Sequence, residues 1–151
     1  MNVSLDDEII LARNEKAYYI SPFIEMKGFL GVIMNEMTKI FKALSDEDRL
    51  RILLMLEVKP LCVCEITEML KLATSTVSKH LSTLREAGFI IDTKDGKWVN
   101  YRLSDPCSKR ICEIRELLKK WSQTDETISK DADKLVTIDR KNICHIIKNL
   151  E

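Results

Sequence analysis

The sequence is poor in glycine and proline, which occupy four and three of its 151 positions. Such low counts exclude a collagen-like or low-complexity chain, because both depend on an abundance of these residues. No uninterrupted apolar run approaches the roughly 20 residues that span a bilayer, and the amino-terminal residues are acidic where a secretion signal is basic. We therefore expect a folded, soluble, cytoplasmic protein without a membrane partner.

The chain also lacks net charge, with 24 basic and 24 acidic residues. The charges are unevenly distributed, however, because residues 71–102 contain six basic and three acidic side chains. A local basic surface is what contact with phosphates requires. The distribution therefore favours a nucleic-acid contact in the middle of the sequence.

Disulfide-rich scaffolds are disfavoured as well. The chain has five cysteines, an odd number, and no secretion signal, so reduced thiols are the better interpretation. A length of 151 residues fits one core with appended helices and excludes two large domains.

Most of the sequence predicts helices. Ser45 is the expected N-cap of a helix that ends before Pro60. Two short amphipathic helices over residues 65–70 and 76–87 follow, and Gly88 closes the second. Asp95-Gly96 then predicts a tight turn between two strands, because this dipeptide accepts positive φ angles. The expected fold class is mostly α with a small antiparallel β-hairpin (α+β).

Both ends of the chain carry further helical patterns. Asp105-Pro106 predicts an N-cap and a first-turn proline for a helix with an apolar stripe ending at Trp121. Residues 143–150 have the same amphipathic form, and Ser21-Pro22 marks the start of a helix towards Leu44.

Three segments carry a family resemblance. Residues 41–53 (FKALSDEDRLRIL), 76–81 (TVSKHL) and 84–90 (LREAGFI) resemble the ArsR/SmtB family of arsenic and metal repressors. The resemblance implies a homodimeric winged helix-turn-helix repressor, not an enzyme, that leaves double-stranded operator DNA when an inducer binds. The resemblance covers residues 35–103, the expected DNA-binding domain, and leaves the first 34 residues unmatched. We expect those to form an N-terminal helical extension (1–34) and the remainder to form C-terminal helices for dimerisation (104–151).

The expected recognition helix has small polar side chains and one cation in its first turns, which allow close approach to base edges in the major groove. Its candidate DNA contacts are Thr74, Ser75, Thr76, Ser78, Lys79 and His80, and the candidate wing cations are Lys94, Lys97 and Arg102. The family often has a serine N-cap where Ala73 stands here, so Thr74 is expected to cap the helix instead.

The hexapeptide around Cys62 and Cys64 predicts a sensor site. Two cysteines at a helix start place two thiols within reach of one soft ion, and the helix dipole there favours thiolates. Plain burial of two cysteines is the alternative. In the resembling arsenic and cadmium sensors the same hexapeptide carries ligands, which implies Cys62 and Cys64 as inducer ligands.

The sequence does not identify the third ligand of the ion. Some arsenic sensors have a cysteine at the position of Thr67, whose hydroxyl is a poor ligand for a soft ion. The remaining candidates are, in order, Cys107, Cys112 and Cys144. Cys107 and Cys112 lie five positions apart, so they are not expected to share a face of the predicted helix, and at most one of them is expected to help. Three thiolates suit As(III) or Sb(III), and the alternatives are Cd, Pb or Zn.

Three other functions compete with this interpretation. A thiol redox or persulfide-responsive repressor on the same fold would join two cysteines covalently. A thiol enzyme needs a positioned base, and the two histidines, His80 and His145, share no motif with a cysteine. A protein-interaction module would use the amphipathic ends and would bind no DNA.

Overall fold

The computed structural model describes residues 26–96, 98–138 and 143, and these form helices around a small sheet. The helices are α1 (Met26–Leu44), α2 (Glu47–Val58), α3 (Val63–Leu70), α4 (Thr74–Glu86), α5 (Lys109–Trp121) and α6 (Glu126–Thr137), and the strands are β1 (Leu61–Cys62), β2 (Ile90–Asp95) and β3 (Trp98–Leu103). A 3-10 turn, Ser122–Thr124, separates α5 from α6. The predicted α+β class is confirmed. The chain divides into two compact units, Met1–Met34 and Asn35–Glu151.

The junction between α1 and α2 lies one residue from the predicted position. Asp46, not Ser45, is the N-cap of α2, and its carboxylate accepts a hydrogen bond of 3.0 Å from the Arg49 amide. Ser45 instead donates its hydroxyl to the Lys42 carbonyl at the end of α1. Both residue types can cap a helix, so the sequence alone did not distinguish them. Helix α2 ends at Val58, before Pro60 as predicted.

Helices α3 and α4 form the helix-turn-helix, and they bury Ile66, Met69, Val77 and Leu81 between the elements. Thr74 is the first residue of α4 and does not cap it, so that expectation is wrong. Ala73 occupies the N-cap, and its side chain makes no capping hydrogen bond.

The end of α4 is closed by a left-handed glycine. Gly88 has a φ of +82°, its amide donates to the Arg85 carbonyl (2.9 Å), and the Phe89 amide donates to the Leu84 carbonyl (3.0 Å). These two bonds satisfy carbonyls at the helix end, as the sequence predicted for Gly88. The C-cap itself is Ala87.

The sheet is antiparallel, in the order β1-β3-β2. Strands β2 and β3 pair from Ile90 opposite Leu103 to Asp95 opposite Trp98, so the turn begins after Asp95, one position later than predicted. Gly96 has the positive φ, +60°, that this turn requires. Strand β1 pairs with the other side of β3 and was not predicted, because two residues are too few to show an alternating pattern.

Helix α5 begins later than predicted. Its N-cap is Ser108, whose hydroxyl accepts from the Ile111 amide at 3.4 Å, and the first helical residue is Lys109. Asp105 and Pro106 therefore lie in the loop before the helix, and so does Cys107. A serine cap competes here with the Asp-Pro signal and lies three residues nearer the apolar stripe.

Helix α6 was missed in the sequence, although Asp125 is a strong N-cap that accepts from the Thr127 and Ile128 amides. It packs against α2 and α3, with Leu135 buried. The Arg51 guanidinium of α2 donates to both Asp131 carboxylate oxygens, at 2.8 and 2.9 Å. This contact raises the pKa of Arg51.

Two predicted terminal elements cannot be compared in full. The predicted start at Ser21 and the predicted helix over 143–150 lie outside the described residues, apart from Ile143, which packs against the core. Of the helices that the structure describes, none is long and apolar enough to cross a membrane.

Candidate nucleic-acid interface and thiol site

Helix α4 presents a polar face in its first turns. Thr74, Ser75, Ser78 and Lys79 are exposed, and Thr76 is half-buried. The opposite face is buried in the core through the residues Val77, Leu81 and Leu84. The exposed side chains are short donors and acceptors beside one cation, which is the chemistry that reads base edges and phosphates in a major groove.

His80 was predicted among the DNA contacts, but its side chain faces α2. Only 13% of it is exposed, and its Nδ1 lies 3.4 Å from Arg49 Nη1 and 3.7 Å from Asp46 Oδ1. Arg49 also donates to the Ala43 carbonyl (2.7 Å) and to the Lys42 carbonyl (2.8 Å). Arg49 and His80 therefore join the end of α1 to the recognition helix. The role of Arg49 is not encoded in a local pattern, because no pattern separates a packed arginine from a surface one.

The predicted wing cations occupy different environments. Lys94 is exposed near the tip of the hairpin. Arg102 is half-buried on β3 opposite Ile91, and its Nη1 lies 3.4 Å from the Leu103 carbonyl oxygen. Lys97 lies outside the described residues.

A further ion pair connects the wing to the recognition helix. Arg85 of α4 donates to Asp92 of β2 at 3.0 Å, which raises the pKa of Arg85. The wing and α4 are therefore held together at their surfaces as well as in the core.

Cys62 lies where the wing sheet meets the helix-turn-helix. It is the last residue of β1, paired with Asn100 of β3, and it is also the N-cap of α3. Its backbone N–H donates to Glu65 Oε2 at 2.7 Å, and its sulfur accepts from the Glu65 amide. Glu65 is itself buried. The predicted position of this cysteine at a helix start is therefore confirmed.

Cys62 is the N-cap of α3 and Cys64 is its second residue, so both thiols lie at the same end of the helix. Cys62 is 2% exposed, whereas Cys64 is half-buried, so one thiol of the pair is accessible. Burial raises the pKa of the Cys62 thiol, and the hydrogen bonds from Cys64 and from the Glu65 amide oppose that shift. The two thiols can therefore act together on one soft ligand, with Cys62 neutral at neutral pH.

Cys107 and Cys112 are joined to each other in a disulfide, with their Cα atoms 5.9 Å apart. The expectation that the two residues do not share a face is wrong, because Cys107 precedes α5 and the spacing of a helix does not apply to it. Arg115 Nη1 lies 3.8 Å from the Cys107 sulfur, and Arg115 Nε donates to Glu57 of α2 at 2.9 Å. Cys144 lies outside the described residues.

Among the described residues, Cys62 and Cys64 belong to no set of three cysteine, histidine or carboxylate ligand atoms within 4.8 Å of one another, and the Glu65 carboxylate is bonded to the Cys62 amide. The one set of three such side chains with donor atoms within 4.8 Å of one another there is Asp46, Asp48 and His80. Those carboxylates pair with Arg49 and Arg51 at 3.4 and 3.6 Å, which makes the set an ion-pair cluster.

The environment of the Thr67 hydroxyl on α3 is a feature that the sequence did not predict. Within the part of the chain that the structure describes, Thr67 Oγ1 is buried and has no hydrogen-bond partner.

A helix-turn-helix with an exposed polar recognition face, followed directly by an antiparallel hairpin, defines a winged helix-turn-helix DNA-binding protein. Residues 46–92 match the family model described as "Bacterial regulatory protein, arsR family". The arsenical resistance operon repressor of Escherichia coli strain K12 is 38% identical over 111 residues, which are 70% of this chain and 93% of that protein. The chain belongs to the arsR family, whose members are DNA-binding transcriptional regulators and not enzymes. The resemblance predicted from the sequence is thereby confirmed.

Other relatives agree with this assignment. A cadmium resistance transcriptional regulatory protein, a CadC homolog from Staphylococcus aureus, is 38% identical over 79 residues, 52% of this chain and 65% of that protein. Among solved structures, reduced HlyU from Vibrio cholerae N16961 aligns with a TM-score of 0.53 and 30% identity, covering 63% of this chain and 97% of that one. A homodimeric winged helix-turn-helix domain from Mycobacterium bovis shares the fold, with a TM-score of 0.55, 19% identity and coverage of 68% and 90%.

Proposed function

We propose that this protein is a homodimeric transcriptional repressor that leaves its operator when Cys62 and Cys64 bind a thiophilic ion, with As(III) or Sb(III) as the preferred inducer and Cd, Pb or Zn as alternatives. One observation carries the proposal. Cys62 belongs at once to the strand that pairs with the wing and to the first turn of the helix that precedes the recognition helix. An ion held there acts on both DNA-contacting elements.

The coupling runs through short and rigid connections. Helix α3 ends at Leu70, three residues separate it from α4, and Lys71 adopts the left-handed conformation with a φ of 58°. On the other side, Leu61 and Cys62 pair with Tyr101 and Asn100 of β3. A shift of the Cys62 backbone on ion binding therefore moves the recognition helix and the wing together.

The state of the thiols favours a trivalent metalloid. Arsenous acid, As(OH)3, exchanges hydroxyl groups for thiols and releases water, so the thiol protons need no separate acceptor. A divalent cation instead displaces a proton from each thiol that binds it. Because burial raises the pKa of Cys62, the second reaction is the more disfavoured at neutral pH.

The apolar surface supports a second copy as partner. Met37 and Phe41 on α1 are 39% and 62% exposed, and Leu117 and Trp121 on α5 are 42% and 68% exposed. Large apolar side chains grouped on helices mark interaction surfaces. A symmetric dimer places two recognition helices about 34–36 Å apart, one turn of DNA, so a small change at each α3 lowers affinity in both half-sites.

The test is a mobility shift on the DNA upstream of the gene, under reductant, titrated with arsenite, antimonite, cadmium, lead and zinc. We expect arsenite and antimonite to weaken operator binding about 5- to 150-fold, the range of a coupling of about 1–3 kcal/mol. Binding that no ion affects contradicts the proposed inducer, and failure to retard any DNA at low salt contradicts the repressor function itself.

The disulfide favours a second candidate function, a redox-responsive repressor on the same fold. Two thiols and a hydroperoxide give one disulfide, water and an alcohol, and Cys107 and Cys112 are already positioned to form that bond. The bond joins the loop after β3 to the start of α5.

Release of the reduced protein by peroxide without metalloid, with the loss of two hydrogens from its mass, supports this function. The matched control is Cys112→Ser, which retains Cys107 but cannot form the bond. Unchanged operator binding after complete oxidation of the wild type contradicts it.

A further inference from the structure

We propose that the hydroxyl group of Thr67 completes the inducer site, in that arsenic held by Cys62 and Cys64 keeps one of its own hydroxyl groups, which forms a hydrogen bond with Thr67. The inference rests on the proposed function and specifies its ligand set. It replaces the third thiol that the sequence analysis expected.

The first observation is the state of the Thr67 hydroxyl. Its Oγ1 is buried and has no hydrogen-bond partner among the described residues. A threonine inside a helix ordinarily satisfies its hydroxyl on the carbonyl three or four residues earlier. Buried polar groups without a partner are uncommon and unfavourable, so this hydroxyl is available to a ligand.

The second observation is its position. Thr67 follows Cys64 by three residues on α3, and this spacing places two Cβ atoms about 5–6 Å apart on one face of a helix. Cys62, the N-cap of α3, precedes Cys64 by two residues. The two thiols and the hydroxyl are therefore neighbours along the first two turns of α3.

The third observation is the absence of a competing ligand. Among the described residues, the two thiols belong to no set of three cysteine, histidine or carboxylate ligand atoms that all lie within 4.8 Å of one another. The neighbouring Glu65 carboxylate already accepts a hydrogen bond from the Cys62 amide. Cys107 and Cys112 are bonded to each other.

The reaction balances without another ligand. As(OH)3 and two thiols give a dithiolate that retains one As–OH, plus two molecules of water. Two As–O bonds are replaced by two As–S bonds, each thiol proton leaves in a water molecule, and arsenic stays trivalent. The remaining As–OH can donate a hydrogen bond to Thr67 Oγ1 or accept one from it. Thr67 is thus a binding residue that contacts the ligand without coordinating the arsenic.

The test uses the full-length reduced protein in which Cys107, Cys112 and Cys144 are each replaced by serine, loaded with arsenite. We expect one arsenic per chain, bonded to two sulfurs and one oxygen, as measured by X-ray absorption spectroscopy. Adding Thr67→Cys should change this to three sulfurs and tighten binding, and Thr67→Ser should keep the original affinity.

Thr67→Val separates a binding role from a structural one. We expect it to weaken arsenite binding about 3- to 10-fold, the effect of one lost hydrogen bond. Its midpoint of unfolding without arsenite should not fall, because the hydroxyl that it removes has no partner among the described residues.

Two outcomes overturn the inference and leave the proposed function intact. One is unchanged arsenite affinity in Thr67→Val. The other is an arsenic bonded to three sulfurs in the wild type, together with loss of arsenite binding when Cys107, Cys112 and Cys144 are replaced by serine. That result would make a distant cysteine the third ligand. Failure of the reduced wild type to bind arsenite overturns the proposed function itself.

Discussion

The described residues contain two pairs of cysteines that differ in both spacing and structure. Cys62 and Cys64 are separated by one residue and remain thiols at the junction of a strand and a helix. Cys107 and Cys112 are separated by four residues and form a disulfide, because one lies in a loop and the other in the first turn of α5. The difference teaches that spacing in the sequence is not enough, because the backbone around each cysteine also determines what the sulfur can do.

The largest expected effect comes from replacing one cysteine of each pair and comparing the two variants. Cys62→Ser should bind operator normally and lose the whole arsenite response, up to about 150-fold in affinity. Cys107→Ser should keep that response, since its sulfur belongs to the other pair. Mobility shifts with and without arsenite measure both variants.

The comparison breaks if Cys107→Ser loses the arsenite response as fully as Cys62→Ser does. Cys107 would then be an inducer ligand, as the sequence analysis first expected. Operator affinity without arsenite is the control for folding in each variant.

Reduction should lower the free energy of unfolding of the protein through the Cys107–Cys112 pair only. A disulfide that closes a loop of about six residues contributes up to about 2 kcal/mol through the entropy of the unfolded chain, or about 30-fold in the unfolding equilibrium. We expect a reductant to lower the free energy of unfolding of the wild type by this amount or less, as measured by urea denaturation. The doubly substituted Cys107→Ser, Cys112→Ser protein should show no dependence on reductant, and a remaining dependence would assign a disulfide to other cysteines.

Alkylation should distinguish the pairs in the reduced protein. Iodoacetamide reacts with accessible thiolates. Cys107 is half-buried beside the Arg115 guanidinium, whereas Cys62 is 2% exposed. We expect Cys107 to be modified at least about 10-fold faster than Cys62 at neutral pH, as followed by peptide mass mapping. Equal rates would show that Cys62 is accessible, and denatured protein provides the control in which both react alike.

Much of the DNA-binding unit could be predicted from the sequence because its signals are local. The period of apolar residues identified α3 and α4, Gly88 marked the helix end, and Asp95-Gly96 marked the hairpin within one residue. The start of α2 and the start of α5 were displaced, since several residues that cap helices stand close together and only their contacts select one.

Contacts that span the chain could not be predicted. The role of Arg49 depends on its contacts with α1 and with His80, 31 residues further on, and no local pattern encodes these. The disulfide was missed because the start of α5 was misplaced, which made Cys107 a helical residue. Thr67 was noted only as a poor ligand, because burial of its hydroxyl without a partner is a property of the packed structure.

The smallest expected effect concerns the alkaline stability of the buried thiol. Burial raises the pKa of Cys62 from its ordinary value of 9.0. A raised folded-state pKa means that the folded protein favours the neutral thiol, so the stabilisation is complete below pH 9.0 and is lost as the pH rises through the folded value. The loss is at most about 1.4 kcal/mol per pH unit for one group, and urea denaturation above pH 9 in Cys62→Ser should lack it. The doubly substituted Cys107→Ser, Cys112→Ser protein should retain it, because this variant keeps Cys62 and adds no free thiol to the two that are disulfide-bonded in the wild type. An unchanged alkaline slope in Cys62→Ser would place the responsible group elsewhere in the molecule.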